Sequence, residues 1–98
     1  TGRRTAAEHM ANLACEMFLR LRSIGQVEGY VFEMPLTQSQ LAGVMGLSVV
    51  HTNRTLQELR SRGLVVWEGR RVEIPDWERL CEFAYFDPRY LHLERMPR

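Results

Sequence analysis

Residues 37 to 63 constrain the fold of this chain more than any other stretch. Thr37-Gln38-Ser39-Gln40 has the form in which a hydroxyl and a side-chain amide reciprocally satisfy the first unpaired N–H groups of a helix. Leu41, Ala42 and Met45 then give that helix a narrow apolar face, and Gly46 supplies the positive φ that ends it. After Leu47, Ser48 is a natural N-cap. The next helix places Thr52, Thr55, Leu56 and Leu59 inward, and Arg60, Arg62 and Gly63 close it. Two helices joined by so short a Gly-containing turn form a helix-turn-helix, here spanning 37–62.

The flanks give this pair something to pack on. Thr5 with Glu8 opens an earlier amphipathic helix, with Ala6, Met10, Leu13, Ala14, Met17, Phe18, Leu21 and Ile24 as its expected apolar stripe. The Met10, Met17 and Phe18 stripe reads as core rather than as a cofactor box. Gly25 and Gly29 are expected to bound a loop, and Tyr30 to Met34 to form one short strand that Pro35 ends. Beyond the third helix, Leu64-Val65-Val66-Trp67 and Arg71-Val72-Glu73-Ile74 flank Glu68-Gly69-Arg70, which predicts a hairpin over 64–74 in the position of a wing. Residues 76–91 read as a helical segment, with Trp77, Leu80, Cys81 and Ala84 inward and a further turn carrying Tyr90 and Leu91. The expected class is α+β, mainly helical, a winged helix-turn-helix with a small antiparallel sheet.

Ninety-eight residues suffice for one such domain, 1–98, and not for two. The start at Thr1 lacks both Met and a signal-like apolar run, so residues 1–4 are expected to end a linker from a preceding sensor and dimerisation region. No apolar run approaches the roughly 18 residues of a membrane span. Cys15 and Cys81 stand far apart in no metal spacing, as a reduced, cytoplasmic chain would have them; Cys15 is expected to be exposed and Cys81 partly buried. No catalytic motif or Gly-rich phosphate loop occurs, so no enzyme is expected, and no metal or cofactor within this chain. All 13 basic residues are Arg, against 12 acids, for a net charge of +1. Their distribution is uneven: residues 48–71 carry five Arg and two Glu, a local excess of three positive charges.

With Thr52, Thr55, Leu56 and Leu59 inward, the 3.6-residue period turns Val49, Val50, Asn53, Arg54 and Gln57 outward. An α-helix fits the DNA major groove, where a guanidinium fork matches guanine O6 and N7, an Asn amide matches adenine, and branched methyls pack on thymine. The chain as a whole resembles the C-terminal DNA-binding domain of the Crp/Fnr family. The matching stretches are Gly2-Arg3-Arg4-Thr5-Ala6, Pro35-Leu36-Thr37-Gln38, Leu41-Ala42, Gly46-Leu47-Ser48, Asn53-Arg54-Thr55-Leu56, Gly63-Leu64-Val65, Val72-Glu73-Ile74 and Asp76-Trp77-Glu78-Arg79-Leu80.

The resemblance implies sequence-specific binding to double-stranded DNA, with base readout by Val49, Val50, Asn53 and Arg54. Val50 stands where well-known members have a glutamate, so their DNA consensus does not transfer, and Thr52 replaces a usual apolar residue. Phosphate contacts are expected from Thr37, Ser48, His51, Gln57, Arg70 and Arg71. Several of these residues have a plainer alternative: the hydroxyls cap their own helices, His51 is a solvated flank, the two wing arginines sit at a solvated hairpin tip and, among the base-reading residues, Arg54 pairs with Glu58. The resemblance further implies a homodimer, RNA polymerase as a partner, and an effector such as a cyclic nucleotide in a domain outside this chain. The competing reading is a winged-helix protein-interaction module without DNA affinity.

Overall fold

The computed structural model describes residues 4–89, in the order α1 (Ala6–Ser23), β1 (Val27–Glu28), β2 (Val31–Glu33), α2 (Gln38–Met45), α3 (Val49–Ser61), β3 (Val66–Glu68), β4 (Arg71–Glu73) and α4 (Trp77–Ala84). The expected class is borne out: four helices and a four-stranded antiparallel sheet in the order β1-β2-β4-β3. Both predicted capping boxes form, Thr5 with Glu8 and Thr37 with Gln40. Tyr90 and Leu91 lie outside the described residues.

The α1 stripe is a correction. The buried residues are Ala7, Met10, Ala11, Ala14, Cys15, Phe18 and Leu19, whereas Ala6, Leu13, Met17 and Leu21 are half-buried and the capping Ile24 is exposed. The helix packs against α3 and α4 at once, so its buried arc is wider than one stripe and is built largely from small residues that permit close approach. Cys15 is therefore fully buried rather than exposed. Burial beside Cys81 of α4 pushes its thiol far above the ordinary cysteine range, and burial raises Cys81 as well. Both thiols stay protonated and inert under such conditions.

The loop expected between Gly25 and Gly29 is also corrected, since it contains β1. Val27 pairs with Phe32 and Glu28 with Val31 across a two-residue turn, which Gly29 makes possible with φ of +60°. Two residues offer no alternation to read, so β1 is visible only once β2 is in place. The inner face of the sheet carries Phe32, Val72 and Trp67 side by side. Phe18 joins the sheet to α1 and α4, with ring centroids 5.2 Å from Tyr30, 6.0 Å from Phe32 and 5.0 Å from Trp77. Leu56 and Leu59 of α3 belong to the same core, which fixes the outward direction of its other face.

Candidate nucleic-acid interface

The turn between α2 and α3 forms as its residues dictate. Gly46 takes the left-handed conformation at φ 71°, and the Leu47 amide donates back to the Ala42 carbonyl at 3.0 Å. Ser48 then caps α3, its Oγ accepting from the His51 amide at 3.0 Å. The two buried threonines are satisfied locally: Thr52 Oγ1 donates to the Ser48 carbonyl at 2.8 Å and Thr55 Oγ1 to the His51 carbonyl at 2.9 Å. A hydroxyl bonded within its own helix can occupy a core position at little cost, which is why Thr52 stands in for an apolar residue here.

With that face buried, Val49, Val50, Asn53, Arg54 and Gln57 all lie on the solvent side of α3, and His51 is exposed at its first turn. Val49 is 43% and Val50 65% exposed, and Val44 at the end of α2 is 53% exposed. These three valines cluster around the helix-turn-helix, where solvent-facing methyls form a local apolar patch. Arg54 does not take the Glu58 partner that its spacing offers. Glu58 instead pairs with Arg62 at 3.0 Å, and Arg62 also lies over the Phe83 ring at 5.1 Å. Arg54 thus makes no hydrogen bond or ion pair to any described residue, and its fork points from the same surface as Val50, one turn earlier.

The other arginines of the positive segment behave differently. Arg60 Nε donates to the Trp67 carbonyl at 2.6 Å, tying α3 to β3. Arg70 is exposed at the hairpin tip, yet its guanidinium is engaged: Nε donates to the Met34 carbonyl at 3.0 Å and Nη2 to the Pro35 carbonyl at 2.9 Å. Arg71 pairs with Glu73 at 3.6 Å and has Glu33 and Glu68 as its cross-strand neighbours. Sequence reasoning missed the Arg60 and Arg70 engagements because a carbonyl acceptor carries no residue-type signal, and those of Arg71 because strand register sets its neighbours. Thr37 is exposed at the start of α2, with its Oγ1 accepting from the Gln40 amide at 3.1 Å. The structure therefore brings Val49, Val50, Asn53, Arg54, His51 and Gln57 together on one helix face with Ser48 at its start, and sets Thr37, Arg70 and Arg71 on separate elements. Among the described residues no cluster of His, Cys, Asp or Glu could hold a metal ion, and no helix is long and apolar enough to cross a membrane.

Comparison with known proteins agrees with this geometry. Residues 9–83 match the Crp-like helix-turn-helix domain family. Over 87 residues the chain is 32% identical to the transcriptional activator protein FnrL of Cereibacter sphaeroides, covering 85% of this chain and 35% of FnrL. Among solved structures, FixK2 from Bradyrhizobium japonicum superposes with a TM-score of 0.68 at 24% identity over 84% of this chain and 39% of that one. Reduced CprK without ligand matches with a TM-score of 0.56 at 17% identity, over 85% of this chain and 39% of its own. These likenesses establish the winged fold, and the chain spans little more than a third of each of these relatives.

Proposed function

This chain belongs to the Crp-like helix-turn-helix family, a class of DNA-binding transcription-regulator domain, and from that premise we propose that it reads double-stranded DNA by sequence with α3 in the major groove. The observation that carries this reading is the outward face of α3, where a guanidinium fork at Arg54, with no partner among the described residues, stands beside Asn53 and two exposed valines. Arg54 takes a guanine through O6 and N7, Asn53 bonds an adenine edge, and Val49 and Val50 pack on thymine methyl groups. Ser48, His51, Gln57 and Thr37 hold the flanking phosphates. Contacts of that kind fix the register of the helix without reading sequence.

In the longer regulator the domain acts as one half of a homodimer, with half-sites roughly 34 Å apart between centres, about one helical turn. An effector such as a cyclic nucleotide acts on the preceding region, and RNA polymerase is the downstream partner. Selection from randomised half-sites tests the reading. The chain should enrich a motif containing a G·C pair, and Arg54→Ala should relax that position alone. Val50→Glu should move the neighbouring preference towards cytosine, whose amino group donates to a carboxylate, and weaken binding to every sequence. An unchanged motif in Arg54→Ala would remove Arg54 from the readout and leave Asn53 and Gln57 in its place.

The exposed Val44, Val49 and Val50 also suit the second reading, a protein-interaction module. Salt separates the two: DNA binding weakens steeply as salt rises, because counterions released by neutralised phosphates are taken up again. Absence of salt-sensitive binding to duplex DNA would favour the interaction module.

A further inference from the structure

We infer that Arg70 is a positioning residue, a latch between the wing turn and the segment leading into α2, that acts on DNA through Thr37 rather than by touching a phosphate itself. The inference rests on the DNA-binding reading above and deepens it. Three hydrogen bonds join this one residue to the backbone of two consecutive residues. The Met34 amide donates to the Arg70 carbonyl at 2.6 Å, Nε donates to the Met34 carbonyl, and Nη2 donates to the Pro35 carbonyl. Pro35 lies two residues before Thr37, the N-cap of α2. A planar guanidinium can bridge two successive carbonyls in a fixed orientation, which the single ammonium of a lysine cannot reproduce.

Leu36 packs on the core that contains Leu41 and Trp67, but packing at this junction is incomplete. Between the wing turn and the start of α2 lies a cavity of about 300 Å³ walled by Leu36, Leu41 and Trp67. The hydrogen bonds of Arg70 span this pocket and add to the β2–β4 pairing in setting the spacing of the two segments. Gly69, with φ of +59°, sits in the turn that brings this exposed side chain within reach of the carbonyls after β2. The latch therefore couples the conformation of the wing to the place of Thr37.

The experiment compares Arg70→Ala, Arg70→Lys, Thr37→Ala and the double variant Thr37→Ala with Arg70→Lys, using the 98-residue chain and a short duplex bearing the selected half-site. Both Arg70 variants should bind about tenfold more weakly, the scale of one charge-assisted hydrogen bond, with the salt slope unchanged. The double variant should bind no worse than Thr37→Ala, since coupled residues are non-additive. In the free protein, the amides of Met34 and Gln40 should exchange about tenfold faster in both Arg70 variants, while those of Leu56 and Leu59 keep their protection and report an intact fold.

A lysine variant that restores full affinity, with only the alanine variant flattening the salt slope by about 0.9 log units, would mean a direct phosphate contact and overturn the latch. Additive losses in the double variant would overturn it too, by leaving Arg70 a stabilising residue that does not act through Thr37. If the unaltered chain binds no duplex at all, the DNA reading itself has failed. The exchange measurement then still decides the latch, which unchanged Met34 and Gln40 amides would overturn.

Discussion

The helix-turn-helix and the winged sheet draw their charges from the same positive stretch of sequence and use them in opposite ways. On α3, Arg54 stays without a described partner because Glu58 is taken by Arg62. Across the boundary, Arg60 is bound to the Trp67 carbonyl and Arg70 to the carbonyls of Met34 and Pro35, while Arg71 sits among Glu33, Glu68 and Glu73. A local charge excess is therefore not the same thing as a surface ready for phosphates. One region presents exposed methyls and a donor with no partner among the described residues; the other spends its arginines on contacts within and between its own elements.

The largest effect we expect tests whether these regions are parts of one cooperative unit. Leu59 is fully buried beneath α3 in the core that also contains Trp67 and Val72, so Leu59→Ala should cost about 2 to 5 kcal/mol of stability. Helical circular dichroism and tryptophan fluorescence should lose structure at the same, lower denaturant midpoint. Separate midpoints would break the shared-core picture and make the contrast one between independent units.

Next in size is Arg54→Ala, expected to lose about 1 to 3 kcal/mol on the specific site while the denaturation midpoint stays put. Arg60→Ala should do the reverse. It should cost about 1 kcal/mol of stability, discounted because the residue is largely exposed, and leave the ratio of specific to non-specific binding unchanged. Calorimetry and competition binding on both variants would sharpen the contrast, and a specificity loss in Arg60→Ala would blur it. The smallest effect concerns Arg71, whose charge is already matched on the sheet. Arg71→Ala should change the salt slope by well under the roughly 0.9 log units of one phosphate contact. A full unit lost in a salt titration would return the wing to the phosphate interface.

Much of this was legible in the residues, for reasons that differ by element. Thr37, Gln40, Gly46 and Ser48 act on the backbone within three or four residues of themselves, so caps and turn could be read directly. The inward face of α3, Thr52, Thr55, Leu56 and Leu59, was also readable, because a helix with one packed side keeps a regular period. The α1 face was not. That helix meets two others, and its burial of Ala11 and Cys15 in preference to Leu13 and Met17 depends on how close those partners come. Strand β1 was hidden because two residues have no pattern until β2 lies beside them.

The same division holds at the interface. The sequence by itself determined which residues face outward on α3 and that a guanidinium, an amide and two branched aliphatics stand together there, since helical periodicity and local caps fix these before any long-range contact forms. Only the tertiary structure decided which arginines remain available. Arg60, Arg70 and Arg79 find backbone carbonyls on elements between 7 and 36 residues away, and every residue carries the same acceptor. Side-chain identity can announce a donor, but the partner of that donor is set by where the chain brings its main-chain oxygens.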